Sequence, residues 1–146
     1  MEKEVNAQIQ QYIESHVEPK RGDMETLHNL ILSKMPNTQL WFLDGKDAQQ
    51  KTVSNPNIGY GNHKITYKDG SSKPFYNIGL SSNSTGISIY FFGFNDKKYL
   101  PDHFSKTIGK ANVSGYCIKF KKLKDIDLTI LGNVIISCIT NQSKKI

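Results

Sequence analysis

The sequence predicts an α+β fold, a mainly antiparallel sheet of about five strands with helices packed on one face. Apolar residues recur every three or four positions near both ends of the 146-residue chain, as on one side of a helix. Between these stretches, short runs alternate apolar and polar residues and are separated by turn dipeptides, as in half-buried strands. The strands follow one another instead of alternating with helices, which favours antiparallel pairing. We expect a single domain over residues 1–146, with N-terminal helices and a C-terminal helix on the same face.

Helical periodicity marks two segments near the start of the chain and one near its end. In the first segment, Val5, Ile9 and Ile13 fall on one side of a helix. Pro19 and Pro36 stop the first two helices, because proline cannot continue a helix. The predicted helices comprise residues 3–17, a segment from Gly22 or Asp23 to Met35, a short helix over 102–108, and a last helix that begins near Asp125 or Asp127.

Five short segments have the alternation or the bulky apolar content of strands. They span residues 40–43, 57–68, 75–81, 86–93 and 115–121. Residues 46–56 have no period and predict a loop, of the length at which loops begin to be functional. Gly59 and Gly61 are too close together for a phosphate-binding motif, and they predict a bend or bulge in the second strand.

The second face of the predicted sheet collects aromatic rings and ammonium groups. If the strand registers agree, this mixed face carries Lys64, Phe75, Tyr90, Phe92, Cys117 and Lys119. Such a face can stack a planar ligand or bases, can pair with a second copy of the chain in a homodimer, or can be covered by the 46–56 loop. The candidate surface for a small-molecule or protein partner comprises Trp41, Tyr60, His63, Lys64, Tyr90, Lys110, Cys117 and Lys119.

Charge is distributed unevenly along the chain. The net charge is +6, and residues 97–146 alone hold ten basic and three acidic side chains. All but one of the nineteen basic residues are lysines, whereas recognition of bases and phosphates favours arginine, so we do not expect nucleic acid as the partner. No apolar run approaches the length of a membrane span, and the first residues are too polar for a secretory signal. We therefore expect a cytoplasmic protein without membrane contact.

A thiol-dependent enzyme is the catalytic alternative. Cys117 shares its strand face with Lys119 and Lys121, whose positive charges favour the thiolate, and His63 is the candidate base. This hypothesis requires the side chains of Cys117 and His63 to lie within hydrogen-bond reach. Cys138 belongs to the apolar stripe of the last helix, and the spacing of the two cysteines does not indicate a zinc site.

The segment from Ile108 to Leu131 resembles the bacterial YdhG-like family of domains of unknown function. The similarity lies in Ile108-Gly109-Lys110, in Cys117, and in the run KKLKDID that ends at Asp127. It extends upstream through Gly59-Tyr60-Gly61 and, more weakly, to Arg21 and Trp41, and it covers roughly residues 20–141. This resemblance implies a compact α+β domain with no established reaction.

Some YdhG-like proteins are described as frataxin-like iron chaperones, so the resemblance also implies iron binding, although no cofactor motif is evident. The iron ligands would be carboxylates of the first two helices, Glu14, Glu18, Asp23 and Glu25. The chain departs from the family in having Ser114-Gly115 where many relatives carry Gly-Lys, and Ser82-Asn83-Ser84 where they carry Pro-Arg-Lys. We expect a non-enzymatic ligand-binding or protein-interaction domain, with the iron chaperone and the thiol enzyme as alternatives.

Overall fold

A six-stranded antiparallel sheet carries the long helices on one face, which confirms the predicted α+β class. The computed structural model describes residues 2–92, 94, 96 and 98–143. Within them the helices are α1 (Glu2–Glu14), α2 (Lys20–Lys34), α3 (Tyr99–Phe104) and α4 (Leu128–Ser143). The strands are β1 (Leu40–Leu43), β2 (Asn57–Tyr60), β3 (His63–Thr66), β4 (Ser72–Phe75), β5 (Ile78–Asn83), β6 (Gly86–Phe91), β7 (Asn112–Val113) and β8 (Cys117–Phe120).

The strand order in the large sheet is β1-β2-β5-β6-β8-β7, and β3 and β4 form a separate two-stranded hairpin. Each pair of neighbouring strands is antiparallel. We call the face that carries α1, α2 and α4 the inner face, and the opposite one the outer face. One row of directly opposed residues crosses the outer face from Trp41 through Gly59, Gly79 and Tyr90 to Cys117.

The hydrophobic core lies between the inner face and the three long helices. The next row of the sheet, Ile58, Leu80, Ile89 and Ile118, is fully buried against them. The helices contribute Ile9, Ile13, Met24, Leu27, Ile31, Leu131, Val134, Ile135 and Cys138 to the same cluster. Each fully buried aliphatic side chain stabilises the fold by roughly 1.5–3 kcal/mol. Burial of this cluster therefore holds the three long helices on the inner face, and the outer face is the one that they leave open.

The predicted strand over 57–68 is wrong as a single element, because the chain bends at Gly61. Gly61 has φ +103°, and a Cβ atom there would collide with the Asn77 side chain. The partner strand breaks at the same level, where Tyr76 and Asn77 separate β4 from β5. The bend that Gly59 and Gly61 predict is therefore real, and it turns β3 and β4 away from the large sheet.

The helix boundaries differ from the predicted ones by a few residues. Helix α1 ends at Glu14, and α2 begins at Lys20, where the Glu18 carboxylate accepts a hydrogen bond from the Gly22 N–H at 2.8 Å. Helix α4 begins after Asp127, as its charge predicts, since Asp127 Oδ1 accepts the N–H of Thr129 at 2.9 Å. The short helix begins earlier than predicted and ends at Phe104, and β7 was not predicted. The predicted end of the fourth strand at Gly93 lies outside the described residues.

No helix in the part of the chain that the structure describes is both long and apolar enough to cross a membrane.

Candidate ligand-binding site

The outer face of the sheet holds two open hollows that lie side by side. The first, the aromatic groove, has a volume of about 330 Å³ and is lined by the rings of Phe75, Tyr76, Tyr90, Phe92 and Tyr116. The second, the lysine pocket, has a volume of about 360 Å³ and is lined by Lys110, Lys119, Lys121 and Asp125, among others. The rings and the ammonium groups are thus concentrated in separate hollows of one face.

Tyr76 lies across the sheet at the base of the aromatic groove. Its ring occupies the space above Gly59 and Gly79, where an added Cβ atom would collide with ring carbons. The Tyr76 hydroxyl donates a hydrogen bond of 2.8 Å to Asn57 Oδ1, and burial raises the pKa of this hydroxyl above its usual range. The Phe75 ring stacks on Tyr76 at a centroid distance of 4.1 Å. Two glycines on neighbouring strands therefore make room for an ordered ring that a side chain at either position would displace.

Three further rings share one orientation along the groove. The plane of Phe92 lies within 12° of that of Tyr90 and within 20° of that of Tyr116, with centroids 6.4 and 6.0 Å apart. Tyr116 is 55% exposed, whereas Tyr76 is only 4% exposed. Aligned, partly exposed ring faces are surfaces on which another planar group can stack.

The loop over 46–56 forms one wall of the aromatic groove through Ser54 and Asn55. Its end is tied to the sheet because the Ser81 hydroxyl donates a hydrogen bond of 2.6 Å to the Pro56 carbonyl. The Tyr12 hydroxyl of α1 donates to the same carbonyl at 3.1 Å. The loop therefore lies at the side of the aromatic groove, where these hydrogen bonds hold its end.

Two segments that line the lysine pocket, around Lys110 and Asp125, are held side by side by main-chain hydrogen bonds. The Lys110 N–H donates to the Asp125 carbonyl at 2.8 Å, and the Asp127 N–H donates to the Ile108 carbonyl at 2.7 Å. Gly109 has φ +117°, and a Cβ atom there would collide with the Asp125 carbonyl oxygen. This contact explains the glycine before Lys110 and fixes the lysine at the pocket rim.

Cross-strand pairs of the outer face link the linings of the two hollows. Ser81, which lines the aromatic groove, pairs directly across the strands with Ser88, which lines the lysine pocket. Ser88 in turn pairs with Lys119 on β8. Ser88 and Tyr90 are two residues apart on β6, a distance of about 7 Å along a strand. The linings of the two hollows therefore lie within the length of a small molecule.

Some of the predicted surface residues line these hollows and others lie elsewhere. Tyr90 lines the aromatic groove, and Lys110 and Lys119 line the lysine pocket. Trp41 is on the outer face, where its Nε1–H donates to the Gly61 carbonyl at 2.8 Å and its ring packs edge-on to Phe75.

His63 and Lys64 lie on β3, in the hairpin beyond the bend and outside the large sheet. Neither residue lines either hollow, although His63 pairs with Phe75, whose ring lines the aromatic groove.

The assignment of Tyr60 to the ligand surface is wrong. Tyr60 is fully buried and belongs to the core cluster on the inner face. Its hydroxyl is hydrogen-bonded to Nδ1 of His28 on α2 at 2.6 Å. Burial raises the pKa of the Tyr60 hydroxyl and lowers the pKa of His28. Tyr60 is therefore a core residue that satisfies its polar atom internally.

The geometry does not support Cys117 as an activated nucleophile. Its side chain is 3% exposed, and burial raises its pKa to about 11 despite the opposing effects of the Lys119 charge and a hydrogen bond with Ser88. Three strand spacings, about 14 Å, separate β8 from β2, the strand that leads into His63. The thiol is therefore mainly protonated at neutral pH and distant from its predicted base.

The predicted iron-binding carboxylates are not gathered into one site. Glu14 accepts a hydrogen bond from Gln10, and Glu18 accepts from Gly22 and pairs with Arg21. Asp23 Oδ2 accepts the N–H of Leu123 at 3.1 Å, and Glu25 is exposed on α2. Over residues 2–92, 94, 96 and 98–143, no group of three or more His, Cys, Asp or Glu side chains is arranged to hold a metal ion.

The sequence pattern misplaces Tyr76 and Tyr116, which both line the aromatic groove. Simple alternation puts them on the apolar side of their strands, with Ile78 and Ile118. Each in fact precedes the strand to which it was assigned: β5 begins at Ile78 and β8 at Cys117. The neighbouring Asn77 and Gly115 were the available signals, because both residue types are typical of places where a strand bends or ends.

Comparison with known proteins adds no assignment. No family model matches the chain, and searches of curated proteins and of solved structures also find no match. The resemblance to the YdhG-like family therefore stays a prediction.

Proposed function

We propose that the protein is a non-enzymatic binding domain that holds a planar, ring-containing small molecule in the aromatic groove. The observation that carries this proposal is the set of aligned, partly exposed rings of Tyr90, Phe92 and Tyr116 above the ordered Tyr76. Stacking on an aromatic side chain contributes about 1–3 kcal/mol per base in single-stranded nucleic-acid complexes, and the same contact is open to any planar group.

The size and the lining of the groove support a small ligand. Its volume of about 330 Å³ falls at the lower end of the 300–1,000 Å³ that ligand pockets commonly have. Asn57, Ser81, Ser54 and Asn55 add polar groups beside the rings. A few polar groups on an apolar surface are typical of sites that orient a ligand as well as bind it.

Binding is favoured over catalysis because the candidate nucleophile is not prepared for reaction. The Cys117 thiol is buried beneath the outer face with a raised pKa. Nucleophilic catalysis requires a lowered pKa or an adjacent base.

The test is a titration with adenosine, indole and 1-naphthol, followed through the NMR signals of the tyrosine rings. We expect at least one compound to shift the signals of Tyr76, Tyr90 and Tyr116 in a saturable way. Tyr116→Ala should weaken that binding at least fivefold, because it removes the most exposed ring of the groove. Tyr67→Ala is the matched control, since Tyr67 is 47% exposed but lies in the turn between β3 and β4.

Equal effects of Tyr116→Ala and Tyr67→Ala, or no saturable shift with any compound, would overturn the proposal. A concentration-dependent dimer that Tyr116→Ala dissociates would also overturn it and assign the groove to self-association. Circular dichroism and urea unfolding of both variants separate loss of the site from loss of the fold.

A further inference from the structure

We propose that the ligand of the aromatic groove carries a phosphate group, which the lysine pocket binds. This inference rests on the proposed function and names its ligand class: a planar aromatic compound with a phosphate one short linker away from the ring.

The lysine pocket has more ammonium groups than carboxylates. Lys110, Lys119 and Lys121 line it against the single carboxylate of Asp125. Among the residues with described positions, the ion pair that the structure contains joins Arg21 to Glu18, and none involves these lysines. About two positive charges therefore remain for a ligand.

That excess suits a phosphate monoester better than a carboxylate. A phosphate monoester carries about −1.5 to −2 charge near pH 7, whereas a carboxylate carries −1. Lysine binds phosphate as a point charge and does not need the planar geometry of arginine.

The position of the pocket sets the length of the linker. Ser88 and Tyr90 lie about 7 Å apart on the same face of β6, so a ring stacked near Tyr90 and a phosphate near Lys119 would be joined by a few bonds. Nucleoside monophosphates and aryl phosphates have this construction. A free mononucleotide and the 5′-phosphorylated end of a single-stranded nucleic acid both carry a ring and a phosphate joined in this way. The experiment must therefore distinguish these two ligands.

The first experiment compares 1-naphthol, 1-naphthyl phosphate and inorganic phosphate by isothermal titration calorimetry at low ionic strength. We expect 1-naphthyl phosphate to bind at least tenfold more tightly than either of the others. Lys119→Ala should weaken 1-naphthyl phosphate binding three- to tenfold and leave 1-naphthol binding unchanged. Lys68→Ala, at the exposed hairpin turn, is the control and should change neither affinity.

The outcomes separate this inference from the proposed function. Equal affinities for 1-naphthol and 1-naphthyl phosphate, with a loss in Tyr116→Ala alone, overturn the phosphate assignment and leave the ring site intact. No binding of either compound overturns both. Binding of inorganic phosphate as tight as that of 1-naphthyl phosphate, and dependent on Lys119, overturns the link between the two hollows.

The second experiment compares adenosine 5′-monophosphate with adenosine and with a 5′-phosphorylated single-stranded octanucleotide. We expect the mononucleotide to bind at least tenfold more tightly than adenosine and no more weakly than the octanucleotide. An octanucleotide that binds many times more tightly, with a steep dependence on salt, would overturn the small-molecule assignment in favour of a nucleic acid.

Discussion

Cys117 shows how burial can outweigh a nearby positive charge. With a pKa of about 11, its thiolate fraction at pH 8 is roughly one in a thousand, whereas a free thiol with a pKa of about 8.5 is about one quarter ionised. We predict that Cys117 reacts with a disulfide reagent at pH 8 at least about a hundredfold more slowly than glutathione does. A Cys138→Ala variant isolates the signal, and addition of urea should restore the rate of a free thiol. A native rate equal to that of glutathione would contradict this account.

His28 couples the stability of the core to pH. Burial lowers its pKa below the usual value, so the unfolded chain takes up a proton at a higher pH than the folded one does. This contribution to stability is therefore fully present above about pH 6.5 and is lost as the pH falls from there towards the folded pKa.

The pH dependence can be measured by urea unfolding at pH 7.5, 6.5 and 5.5. We expect the free energy of unfolding to fall on acidification, by less than about 1.4 kcal/mol per pH unit from this one proton. In His28→Gln this part of the decrease should disappear, whereas His103→Gln, which changes an exposed histidine of α3, should keep it. An identical pH profile in wild type and His28→Gln would show that another group is responsible.

At the scale of the elements, strands β2 and β5 together make room for the ring of Tyr76. Gly59 and Gly79 are opposed across these strands, and Tyr76 fills the space above both. We predict that Gly59→Ala lowers the free energy of unfolding by about 1–3 kcal/mol, the usual cost of overpacking, and displaces the Tyr76 ring. Urea unfolding measures the cost, and the Tyr76 ring signals report the displacement.

A double-mutant cycle tests whether the ring causes this cost. In a Tyr76→Ala background the Gly59→Ala substitution should cost much less, because the atoms with which the new methyl group collides are gone. If the cost of Gly59→Ala is the same in both backgrounds, strain elsewhere in β2 is the cause and Tyr76 is not held as described.

The sequence predicts the two faces of a strand correctly where apolar and polar residues alternate without interruption. Ile87, Ile89 and Phe91 alternate with Ser88 and Tyr90 through the whole of β6, and the structure confirms their faces. The pattern fails at Tyr76 and Tyr116 because each stands in a bend just outside a strand, where side-chain direction no longer follows the pleat. The aromatic groove depends on both rings, so only part of its lining was predictable.

At the scale of the whole molecule, folding brings lysines from the last third of the sequence together in the lysine pocket. The net charge of +6 does not specify where cations gather, because Lys110 and Lys119 are placed by a bridge between distant segments and by strand pairing. Fold class followed from periodicity and element order, which are local properties. The site did not, since it depends on the register of β5, β6 and β8 and on the contact between Gly109 and Asp125.

The two-residue strand β7, with which the sheet ends, also affects contacts between molecules. Only Asn112 and Val113 pair with β8 there, so a strand added by another chain would find few main-chain N–H and C=O groups in line. Lys110 precedes this short edge, and its charge further opposes the approach of an identical edge. Edge-to-edge aggregation through β7 is therefore disfavoured.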